Sequence, residues 1–213
     1  MTSVPQTVFV TLALGVALAA CGCGQPHRGV AQEEPTGTKG QRAFFGIPTD
    51  DARTLVFVSD TCGSMTGMID LVKYELSQTV YGLRPCQRFC VLFMSSGSPQ
   101  EMEPRGPIPA TRENKRLAAQ FIESVVSHGQ TWLGPSLRRA LEMKPEVVYI
   151  ITDAAIDREL VDQARAWNPG RRTRIHCIRW LWKEYQDVLR QIAADSGGQF
   201  RFVSDADLEQ LLD

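Results

Sequence analysis

Two apolar patterns alternate along the chain. Residues 54–59 (TLVFVS), 88–94 (RFCVLFM), 146–152 (EVVYIIT) and 174–180 (RIHCIRW) are nearly continuous apolar runs. Such runs predict strands covered on both faces. Helical spacing separates them. Over 65–81, Met68, Ile69, Val72 and Leu76 share one side, and Gly82 and Pro85 end the helix. Over 113–127 the stripe is Leu117, Ala118, Phe121, Ile122, Val125 and Val126; over 133–141 it is Leu133, Leu137, Ala140 and Leu141. Further helices are predicted over 158–167, before the Asn168-Pro169-Gly170 turn, and over 182–194, before Gly197-Gly198. A last strand is expected over 199–203 and a short closing helix over 208–212. The Ser-, Gly- and Pro-rich stretch 95–109 leaves room only for a short edge strand. Strands alternating with helices predict an α/β fold: a doubly wound, mostly parallel central sheet with helices on both faces.

The first 42 residues follow neither pattern. Residues 8–20 (VFVTLALGVALAA) are uncharged, but the run is shorter than the roughly 20 apolar residues that span a bilayer. It has the length of a signal-peptide core, although residues 1–7 contain no Lys or Arg. Leu18-Ala19-Ala20-Cys21 resembles the bacterial lipoprotein lipobox. The resemblance implies cleavage before Cys21 and lipid on that residue; an uncleaved hydrophobic anchor is the alternative. Either reading places the protein at the cell envelope of a bacterium. Residues 22–42 are rich in Gly, Gln, Pro and Thr and poor in large apolar side chains, a composition that cannot offset chain entropy. The expected organisation is therefore a signal peptide (1–20), a flexible tether (21–42) and one domain (43–213).

Composition narrows the classes. With 43% hydrophobic and 22% charged residues, the domain is an ordinary globular one. Lys plus Arg (23) balances Asp plus Glu (24), which argues against a nucleic-acid partner. Six cysteines are too few for a disulfide-built scaffold. Buried Cys90 and Cys177 are expected to act as small apolar residues.

Candidate chemistry follows the strands, since ligands in open α/β sheets bind beyond their carboxyl ends. The first long strand ends in Asp60-Thr61-Cys62-Gly63-Ser64-Met65 and the third in Thr152-Asp153; Gly129-Gln130-Thr131 precedes the helix at Leu133. Two carboxylates and several hydroxyls at one sheet edge suit a hard cation such as Mg²⁺, Mn²⁺ or Ca²⁺. Taken singly, Asp60, Ser64 and Thr131 are ordinary helix caps and Asp153 a turn residue.

The segments LVFVSDTCGSM, RFCVLF, ENKRLAAQFIESVVSHGQT, VVYIITDA and IAADSGGQFRFV, in this order, resemble the von Willebrand factor type A domain in its bacterial single-domain form, from about 53 to 203. The resemblance implies a metal-ion-dependent adhesion site with the pattern Asp-x-Ser-x-Ser, completed by a Thr and an Asp from later loops. Asp60, Ser64, Thr131 and Asp153 match it. Cys62 stands at the first Ser position and Ala154 replaces the usual Gly. The implied cation is Mg²⁺, with Mn²⁺ or Ca²⁺ as alternatives, and a Cys62 thiolate favours a softer ion such as Zn²⁺. The implied function is binding of a protein partner that offers an acidic side chain to the cation, without catalysis. Two other readings stand beside it: a scaffold with a degenerate, metal-free site, and an enzyme with Cys62 as nucleophile and His128 or His176 as base. A dinucleotide site is excluded by the absence of G-x-G-x-x-G after the first strand.

Overall fold

The computed structural model describes residues 43–49, 51–127, 129–180, 184–204 and 207. The expected signal peptide, Cys21, the tether, His128 and the closing helix over 208–212 lie outside the described residues. No helix among the described residues is long and apolar enough to cross a membrane.

The four apolar runs form β3 (Thr54–Ser59), β4 (Arg88–Phe93), β7 (Val147–Thr152) and β8 (Arg174–Trp180), joined by β9 (Phe200–Val203). All five are parallel, in the order β4-β3-β7-β8-β9. Their side chains are buried along nearly the whole length, which is why the runs show no polar alternation. The edge stretch contributes β5 (Gln100–Glu101) and β6 (Ile108–Pro109), both antiparallel to β4. Such short, Pro-containing strands blunt a sheet edge against further pairing.

The helices are α1 (Ile69–Gly82), α2 (Arg112–Ser124), α3 (Leu133–Glu142), α4 (Glu159–Trp167) and α5 (Gln186–Ser196). α1 packs beside α2, and α3, α4 and α5 pack in succession. The path runs one way from β3 to β4 and the other way from β4 through β7 and β8 to β9, so right-handed crossovers put α1 on one face of the sheet and α3, α4 and α5 on the other. The winding reverses at β3, which lies between the second and third parallel strands. The crevice between the ends of β3 and β7 is thus the topological switch point.

The hairpin β1 (Ala43–Phe44) and β2 (Ile47–Pro48) has no counterpart in the sequence pattern. Phe45 and Gly46 turn it at φ values of 45° and 75°, the two positive values of a type I′ turn. It drives Phe44 and Phe45 into the core, edge-on to Phe57 and Trp180 respectively, each at 5.3 Å.

Two helix boundaries differ from the periodicity. Residues 63–67 form a tight 3₁₀ turn rather than the start of α1. α2 stops at Ser124 because Val125 is extended, and the chain crosses to the strand-end loops instead of continuing the helix. Both departures sit beside the candidate site, and both are held by bonds that sequence periodicity does not register.

Candidate metal centre

Asp60 leaves β3 fully buried. Its Oδ1 accepts from the Cys62 N–H at 2.9 Å, the Asx-turn geometry that bends the chain out of the strand. The same oxygen accepts from Thr131 Oγ1 at 2.5 Å, and Oδ2 accepts from Thr152 Oγ1 at 2.5 Å. One carboxylate therefore ties together the loops after β3, before α3 and at the end of β7. The backbone reinforces this: Asp60 N donates to Ile151 O at 3.0 Å and Gly63 N to Gly129 O at 2.9 Å. Gly129 adopts φ +63°, a conformation suited to glycine. Ser127 Oγ donates to the carbonyl of Cys62 at 2.6 Å.

The capping alternative does not describe these side chains. Cys62 and Trp132 occupy the cap positions of the 3₁₀ turn and of α3, and neither turn nor helix receives a side-chain cap bond. Thr131 spends its hydroxyl proton on Asp60 instead.

Cys62 lies at the middle of the cluster. Its thiol donates to Asp153 Oδ1 at 3.0 Å and stands 2.9 Å from Ser64 Oγ. Asp60, Cys62 and Asp153 each present a ligand atom, all within 4.8 Å of one another. The structure thus brings Asp60, Cys62, Ser64, Thr131 and Asp153 to one place. Burial, then the negative charge of Asp60 and the bond to Asp153, push the Cys62 thiol up to about 12. At neutral pH and without a cation the sulfur keeps its proton.

Two participants carry no motif signature. Thr152 fixes the second oxygen of Asp60, and its Oγ1 also accepts from Ala154 N at 2.9 Å. Arg179, 1% exposed on β8 beside Thr152, donates to Ala154 O at 2.6 Å. Burial lowers its pKa, while Asp153 and Asp60 act in the opposite sense. A charge inside an otherwise apolar strand was the available signal, since buried charges need opposite charges nearby.

The cluster opens into a groove of about 670 Å³ between the starts of α3 and α4, with Trp132, Ile156, Asp157 and Gln163 among its walls. Trp132 is 62% exposed at the rim.

A model of the von Willebrand factor type A domain matches residues 53–202. The chain belongs to this family. Solved structures agree on the fold of this type A domain. A von Willebrand factor type A protein from Catenulispora acidiphila superposes with a TM-score of 0.61 at 16% identity, covering 78% of this chain and 42% of that one. The SpRpn10 VWA domain gives 0.55 at 12% identity, covering 76% and 94%. Proximal thread matrix protein 1 from the mussel byssus, solved with a zinc-occupied MIDAS motif, gives 0.54 at 18% identity, covering 75% and 43%. The chain therefore spans less than half the length of the first and third of these proteins. No curated protein matches it.

The enzyme reading loses its second base. His176 is a core residue of this type A domain, 2% exposed and stacked on Tyr149 at 5.0 Å. Its Nδ1 accepts from Gln199 N at 2.9 Å. It pairs in register with Tyr149, three residues short of the β7 end that carries Asp153.

Proposed function

We propose that this type A domain binds a protein partner through a divalent cation held at the strand-end cluster, and that it does so without catalysing a reaction. Asp60, Cys62, Ser64, Thr131 and Asp153 would hold the ion. The cation supplies a positive centre whose remaining positions accept an acidic side chain of the partner. Asp60 acts chiefly as a brace, since three donors already orient its carboxylate. Ser64, Thr131 and Asp153 turn toward the groove. The mussel protein, of the same fold, has a zinc-occupied MIDAS motif, which supports a cation in this one. The observation that carries the reading is the convergence of Asp60 and Asp153, 93 positions apart in the chain, with a third ligand atom within 4.8 Å of both.

A divalent cation with an open position takes a carboxylate as an oxygen ligand, which supports an acidic partner. Trp132 offers the kind of exposed aromatic surface that anchors interfaces.

The domain's place at the bacterial envelope, held there by lipid on Cys21, belongs to the same proposal and is supported by the lipobox-like Leu18-Ala19-Ala20-Cys21. Two or more acyl chains on Cys21 would make that anchoring firm.

The test is capture of partners from envelope extract by the full chain, with Mg²⁺ or Zn²⁺ supplied and then with EDTA. Capture that EDTA abolishes, and that Asp153→Asn reduces at least about tenfold (the loss of one charged contact), supports the reading. Capture indifferent to both points instead to a metal-free scaffold, a state that the Cys62–Asp153 bond would close by itself.

A further inference from the structure

We infer that Cys62 makes this site selective for zinc over magnesium. This inference rests on reading the strand-end cluster as a metal site, and it names the ion.

The sulfur stands between the oxygen donors. Cys62 Sγ lies 3.0 Å from Asp153 Oδ1 and 2.9 Å from Ser64 Oγ. A small hard ion seated among these oxygens meets sulfur as a neighbour. Mg²⁺ demands a near-ideal octahedron of oxygens at about 2.0–2.1 Å, and a soft sulfur does not take one of those positions. Zinc does accept it. With Zn–S about 2.3 Å and Zn–O about 2.0–2.2 Å, tetrahedral zinc sets sulfur and oxygen about 3.5 Å apart. A widening of about half an ångström of the present Cys62–Asp153 spacing meets that requirement.

When zinc binds, the thiol proton leaves to solvent and a Zn–S bond takes its place. With Asp60, Cys62 and Asp153 as its three protein ligands, tetrahedral zinc keeps a fourth position for a partner group.

The experiment uses the full chain with Cys21, Cys23 and Cys86 replaced by Ser, so that these thiols do not compete. Calorimetric titrations with ZnCl₂ and MgCl₂ are compared, and CoCl₂ is added as a spectroscopic substitute. The expected result is zinc affinity at least about 100-fold above magnesium affinity, in keeping with the order for mixed sulfur and oxygen sites. A sulfur-to-cobalt charge-transfer band in the near ultraviolet accompanies it. Cys62→Ser in the same background loses zinc affinity by about 100-fold, at or beyond the upper end for losing an outer-shell partner. It also abolishes the cobalt band and tightens Mg²⁺ binding. Magnesium binding as tight as zinc, no cobalt band, or a Cys62→Ser chain that keeps its zinc affinity overturns the inference while leaving a metal site. If no divalent ion binds at all, the metal-site reading falls with it. The cobalt band is read on the chain that retains Cys62, so the test survives even if Cys62→Ser misfolds.

Discussion

At the scale of single residues, Cys62 decides most. The residue is 8% exposed, and its thiol is hydrogen-bonded to a carboxylate and pushed up to about 12. Alkylating reagents attack thiolates, so position and protonation both shield it. In the metal-free native protein at neutral pH, iodoacetamide is expected to modify exposed Cys86 well before Cys62. Peptide mass spectrometry over a time course reads the order; Cys62 labelling first would contradict the protonated, hydrogen-bonded thiol. The candidate ligands themselves were legible in the sequence, because residues after a strand carry a recognisable pattern. The direction of the Cys62 shift was not. A helix start and a cation lower a thiol's pKa, whereas desolvation and neighbouring carboxylates raise it. Only the packed arrangement shows that the raising effects win.

At the scale of elements, strand existence followed from apolar runs and helix existence from spacing, while the ends near the site did not. α2 ends where Ser127 is drawn to the Cys62 carbonyl, and α1 begins only after the 3₁₀ turn. Such tertiary bonds override local periodicity. The turn from α5 into β9 shows another constraint. A Cβ on Gly198 would lie 2.0 Å from the carbonyl oxygen of Ile175 and 2.5 Å from its carbon, both backbone atoms of β8. Gly198→Ala must therefore displace one strand from its neighbour. It is expected to destabilise the domain by about 2–3 kcal/mol, the cost typical of forced overpacking. A shift of the urea midpoint measures this, and Gly134→Ala, whose Cβ meets nothing closer than 3.7 Å, serves as the comparison. An unchanged midpoint for Gly198→Ala would contradict the close approach.

At the scale of the whole molecule, stability is expected to depend on pH through His176. Burial, aided by Arg174, lowers its pKa from 6.5 to about 4. The folded state thus holds a neutral imidazole that the unfolded chain protonates more readily. The sign follows: this contribution is fully present above pH 6.5, and it is lost as pH falls toward 4. The total is about 3 kcal/mol. Urea denaturation between pH 7 and pH 4 should show the decline, and His176→Gln should flatten this part of it. An equal slope in the variant would remove His176 as the cause.

The sequence alone determined the α/β class, the long strands, the family resemblance and the residues that stand at the strand ends. It could do so because burial on both faces and loop chemistry leave local signatures. The tertiary structure decided that Asp60 and Asp153 share one site at the β3–β7 switch point. It also decided that the Cys62 sulfur lies between oxygen donors, that Arg179 sits inside as a counter-charge, and that the Phe44–Phe45 hairpin fills the core. Each of these depends on distance in space between residues far apart in the chain, and no local pattern of polarity encodes that distance.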